Sequence, residues 1–94
     1  MNIKQEEVLT CVQEILVSRV GLNTEEVAPL SPSEVLFGDT SRLALDSVDM
    51  LELAMGLDRR FPGVFGEEMD IHVLESVTAI TTFLNAIEHS RVAP

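Results

Sequence analysis

Apolar residues return at helical spacing in three stretches of the chain and lose that spacing between them. Over residues 4–20, Val8, Val12, Ile15 and Leu16 recur at i, i+4, i+7 and i+8, with Leu9 and Val20 widening the stripe. Glu6 and Glu7 fall in the first turn and Arg19 in the last, which suits the helix dipole, and Gly21 supplies a stop. A second helix is expected over residues 47–61, ended by Pro62 and Gly63. The last begins behind Ser76 as N-cap and runs through Val77, Ile80, Phe83, Leu84 and Ile87 to about Glu88.

From Leu22 to Leu45 the period fades, and Pro29, Ser31, Pro32, Ser33, Gly38, Asp39, Thr40 and Ser41 mark a long loop. Loops of this length are uncommon in small domains unless function or packing holds them. Val27, Leu30, Leu36, Phe37 and Leu43 are the residues expected to pin it to the core. Single helical turns are expected at Thr24–Val27 and Ser33–Leu36, and another near Glu67–Ile71. No alternating strand pattern and no internal repeat occurs. The fold class is therefore all-α, a small four-helix bundle of three long helices and one short, in a single domain over 1–94 with its core at about 3–90.

Charge narrows the partners. Six Lys and Arg against sixteen Asp and Glu leave the 94 residues at −10. Nucleic acid and anionic membrane surfaces both need cations, so neither is an expected partner. Basic protein surfaces are, because opposite fields steer encounter. Self-repulsion at this charge also makes stability salt-sensitive. An apolar content of 46% argues against disorder. Cys11 has no second cysteine to pair with, and Cys11, His72 and His89 lack metal-ligand spacing. There is no run of about 18 apolar residues for a membrane span and no basic-then-apolar leader at the start. A soluble, cytoplasmic monomer is the expectation.

The second helix has more apolar surface than one core needs. At 100° per residue from Val48, the residues Leu53, Leu57, Met50, Phe61 and Ala54 fall between about 140° and about 240°. Leu51, Met55 and Val48 gather on the other side, rimmed by Glu52 and Asp49. Two readings stand: a central helix packed on both faces, or an exposed patch whose charged rim selects basic surfaces. Periodicity alone does not separate them.

Ser47 stands at the head of this helix in Leu45-Asp46-Ser47-Val48-Asp49. One reading makes it a plain N-cap. The other makes it a site for an added phosphate, which the free N–H groups and positive dipole end of a helix N-terminus favour.

The run Leu45-Asp46-Ser47-Val48-Asp49-Met50-Leu51-Glu52-Leu53, followed by Met55, Leu57 and Phe61, resembles the second-helix signature of acyl carrier proteins. The context fits as well: an amphipathic first helix, a long loop, the serine near mid-chain, and Glu75-Ser76-Val77 at the start of the last helix. The resemblance implies that Ser47 carries 4′-phosphopantetheine, delivered from coenzyme A by a phosphopantetheinyl transferase. The arm's thiol would hold acyl groups as thioesters, which leaves Cys11 no part in the chemistry. It further implies that Asp46 assists the modification. Val48, Asp49, Leu51, Glu52 and Met55 would then form the docking face for acyl-loading, ketosynthase-type or acyltransferase enzymes with basic patches. The protein would be a substrate of enzymes and not itself an enzyme.

The chain departs from the family pattern in places. Val48 replaces the usual Leu, and Asp58-Arg59-Arg60 stands where a run of Glu is common. Arg59 falls on the docking side of the wheel. It is either half of a solvated pair with Arg60 or a selector against generic fatty-acid enzymes in favour of a dedicated set. Fatty-acid, lipid and polyketide-type pathways all remain open, with a modest lean to the specialised ones. A carrier of aminoacyl or peptidyl groups is the nearest alternative. An unmodified acidic helical interaction domain is the more distant one. No nucleophile–base–orienter set can be assembled for catalysis.

Overall fold

A computed structural model describes residues 3–38, 41–62 and 71–92, with side chains in the last segment from 72 to 87. Helix α1 spans Gln5–Ile15 and buries Val8, Cys11, Val12 and Ile15. The stripe continues into Leu16, but the helix does not stay α-helical to residue 20. A π-helical turn covers Leu16–Val20. The Leu16 carbonyl accepts from the N–H of Gly21 and, at 2.9 Å, from that of Leu22. Ser18 Oγ donates to the Glu14 carbonyl at 2.7 Å, a side-chain bond that competes for the helix ladder. Gly21 then turns the chain at φ 91°, a left-handed conformation that costs glycine nothing. Apolar spacing cannot register a widened turn at the end of a helix.

The expected turn at Thr24–Val27 is present as the short helix α2. Val27, Leu30, Leu36 and Leu45 are buried, and Phe37 and Leu43 pack partly against the core, so the anticipated anchors do hold the long loop. The expected helical turn at Ser33–Leu36 is not formed. Its backbone groups are bonded elsewhere: the Leu36 N–H donates to the Glu75 carbonyl at 2.8 Å, and the Pro32 carbonyl accepts from Thr78 N–H at 2.9 Å. These bonds stitch the loop to the start of the last helix, and a single parallel bridge joins Phe37 to Leu45.

Helix α3 runs Ser47–Arg60 and presents Leu53, Gly56 and Leu57 to the core. It packs antiparallel to α1 and its π-helical extension. A Cβ on Gly56 would lie 2.7 Å from Ile15 Cγ1, so the missing side chain is what lets the two helices approach. One turn further, Arg19 Nη1 meets Glu52 Oε2 at 3.0 Å.

The turn expected near Glu67–Ile71 falls mostly outside the described residues. A 3₁₀ turn occupies Ile71–Leu74. Helix α4, Val77–Val92, extends past the expected end. Ser76 caps it, its Oγ accepting from Ala79 N–H at 3.1 Å. Asn85 ties α4 to the start of the chain through both the N–H and the carbonyl of Ile3, at 2.7 and 3.1 Å. Leu74, Val77, Ile80 and Leu84 close the core against Leu53, Leu57, Val12 and Leu16. The result is the anticipated all-α bundle of three long helices and short connecting turns.

Candidate functional site

The N-terminus of α3 is set by two aspartates. Asp46 is in extended backbone at φ −100°, and its Oδ1 accepts from Asp49 N–H at 2.9 Å. Asp49 Oδ2 in return accepts from Asp46 N–H at 3.1 Å, which completes a capping box. Ser47 is therefore the first helical residue and not the cap. The plain N-cap reading of Ser47 is overturned because Asp46 already performs that task. The Ser47 side chain is exposed, and its hydroxyl takes no hydrogen-bond partner among the described residues.

The approach to Ser47 is braced. Buried Ser41 accepts at Oγ from the N–H groups of Leu43 and Ala44, both at 3.2 Å. Arg42 reaches Glu34 Oε2 at 2.9 Å and the Glu26 carbonyl at 2.8 Å. Ala44 sits at φ 47°, a left-handed conformation that costs an L-residue about 1–2 kcal/mol. Buried Leu45 follows, held to Leu36, so the corner is over-determined from both sides.

The surplus apolar stripe of α3 is exposed. Val48, Leu51 and Met55 show 66%, 60% and 47% of their surface, so the helix is not packed on both faces. Asp49 and Glu52 are half-buried beside them. Glu52 is not a free carboxylate, because Arg19 from the π-helical turn holds it. Arg59 is exposed on the same side, with no ion-pair partner among the described residues. Arg60 holds its guanidinium 5.5 Å from the centroid of the Phe61 ring. Arg59 and Arg60 both border the groove between α1 and α3 that Glu14, Ser18 and Arg19 also line.

Cys11 is buried in the core, and burial pushes its thiol above the ordinary range, opposed in part by Arg60. A thiol in that setting is a poor nucleophile. Among the described residues, no group of three or more His, Cys, Asp and Glu could hold a metal ion. None of the helices described is long and apolar enough to cross a membrane.

Three features of the site go beyond the helical periodicity of the chain. The capping box had a signal, two aspartates three residues apart at a helix start. The Gly56 contact had a weak one, a glycine inside a helix with no turn to explain it. The Arg19–Glu52 pair had none, because 33 positions separate the partners.

The chain is 33% identical over 86 residues to an acyl carrier protein of Rubrobacter xylanophilus, covering 90% of this chain and 94% of that relative. No family model matches the chain. No solved structure does either.

Proposed function

The chain belongs to the acyl carrier protein family, and from that membership we propose that Ser47 is the attachment point of a 4′-phosphopantetheine arm. The arm, once bound, supplies a terminal thiol on which acyl groups travel as thioesters. The observation that carries this reading is the exposed hydroxyl of Ser47 in the first turn of α3, without a hydrogen-bond partner among the described residues and beside an exposed apolar stripe.

The residues present suit such a group. Ser47 Oγ is free to attack the phosphorus of coenzyme A's pyrophosphate. That attack forms the Oγ–P bond and releases the adenosine bisphosphate half. The positive end of the α3 dipole favours the phosphodiester that results. Asp46 and Asp49 spend one oxygen each on the capping box, which fixes the direction in which Ser47 leaves the helix. Asp46 stands beside the hydroxyl, exposed, where a carboxylate can assist a transferase.

Val48, Asp49, Leu51, Glu52, Met55 and Arg59 form the surface that client enzymes read. Those clients are the phosphopantetheinyl transferase and the enzymes that load, elongate or transfer acyl chains. Arg59 on this surface favours a specialised lipid or polyketide-type pathway over bulk fatty-acid synthesis.

Intact-protein mass after incubation with coenzyme A and a broad-specificity phosphopantetheinyl transferase tests the reading. The wild type is expected to gain one phosphopantetheine, and Ser47→Ala none. Absence of any gain on the wild type, with a known carrier protein modified in parallel, would overturn it.

A further inference from the structure

The charge of the whole chain predicts a uniformly acidic docking face, but the structure places charges on it otherwise. Two of the chain's six Lys and Arg residues, Arg19 and Arg59, flank the Val48–Leu51–Met55 stripe. At the N-terminal end of the stripe stand the two carboxylates of the capping box, Asp46 and Asp49. In the middle, Glu52 is neutralised by Arg19 at 3.0 Å. At the C-terminal end, roughly 16 Å along the helix from Val48, Arg59 is an exposed cation without a counter-ion among the described residues. The face thus carries carboxylates alone at its N-terminal end and, at its C-terminal end, an exposed cation beside the half-buried Asp58, with exposed apolar side chains between.

We infer that this face fits an enzyme surface of matching polarity: an apolar socket with a cation opposite Asp46 and Asp49 and a carboxylate opposite Arg59. The inference rests on the carrier reading of Ser47 and adds the chemistry of the partner. A socket ringed only by Lys and Arg meets Arg59 as a like charge and finds Glu52 already engaged, so it docks poorly. Arg19 is a positioning residue here. It acts by pairing with Glu52 and so lowering the negative charge that this carboxylate shows a partner, and the π-helical turn that carries it aims it at α3.

The probe is a fatty-acid ketosynthase with a basic docking patch, turning over its own carrier. The holo form of this protein is the competitor, and its Ki is the readout. Arg59→Glu is expected to lower Ki roughly fivefold or more, and Arg19→Gln about twofold, by releasing Glu52. Lys4→Glu carries the same change in net charge as Arg59→Glu. It lies at the exposed start of α1, beside the Ile3–Asn85 contact with α4, and is expected to leave Ki within about twofold. A second arm replaces one Lys of the probe's patch by Glu. The wild type then gains affinity and Arg59→Glu loses it, a sign reversal that net charge cannot produce.

Equal effects of Arg59→Glu and Lys4→Glu, or no inhibition by any variant, would overturn the inference. Because holo-protein is confirmed by mass beforehand, such a failure is separate from failure of Ser47 to be modified.

Discussion

The two long faces of α3 carry side chains of much the same kind, and the bundle covers only one of them. Leu53 and Leu57 are fully buried in the core, while Leu51 and Met55, two residues before each of them, lie open. Both stripes are apolar and both belong to an unbroken helix. What separates them is the neighbour. Gly56 admits α1 to van der Waals distance on one side, and nothing among the described residues packs on the other. The difference teaches that apolar character states a demand for cover, while the cover itself is decided by packing.

Substitutions on the two faces test that contrast. The largest effect belongs to Leu53→Ala, which leaves a cavity in the core and should cost about 2–5 kcal/mol in denaturant unfolding. Leu51→Ala, one turn-face away, should change stability by less than about 0.5 kcal/mol. A comparable loss at both positions would mean that the open stripe is covered after all.

Gly56→Ala comes next. The added methyl meets Ile15 Cγ1, Cδ1 and Cγ2 at 2.7–3.0 Å, so Ile15 or the helix must shift. A loss of about 1–3 kcal/mol is expected from thermal unfolding. A neutral outcome would show that Ile15 repacks freely and that the close approach of the helices is not needed.

The smallest effects lie at the helix head, where the roles of neighbours divide. Asp46→Ala removes the cap and should cost about 1 kcal/mol. Ser47→Ala should stay within about 0.5 kcal/mol, because its exposed hydroxyl bonds to nothing among the described residues. The same variant should abolish modification entirely. If Ser47→Ala proved the more destabilising of the two, the assignment of the cap to Asp46 would fail.

Much of this molecule is legible in the amino-acid order. The amphipathic stripe of α1, the anchors of the long loop, the Ser76 cap and the double-faced character of α3 follow from spacing and residue type. So does the serine, through the register of the acidic and apolar residues around it. These are local properties, carried by residues within a turn or two of each other, and helical periodicity reads them directly.

Other features depend on residues far apart in the chain. Pro32 and Leu36 give their backbone bonds to Thr78 and Glu75, which melts the turn their own sequence favours. Arg19 finds Glu52 only because a π-helical turn and an antiparallel packing bring them together. Sequence by itself determined the helices, the acidic balance and the candidate serine. Tertiary structure decided which apolar face stays open and which carboxylate is already paired, because each depends on what the chain folds back against and not on what lies beside it.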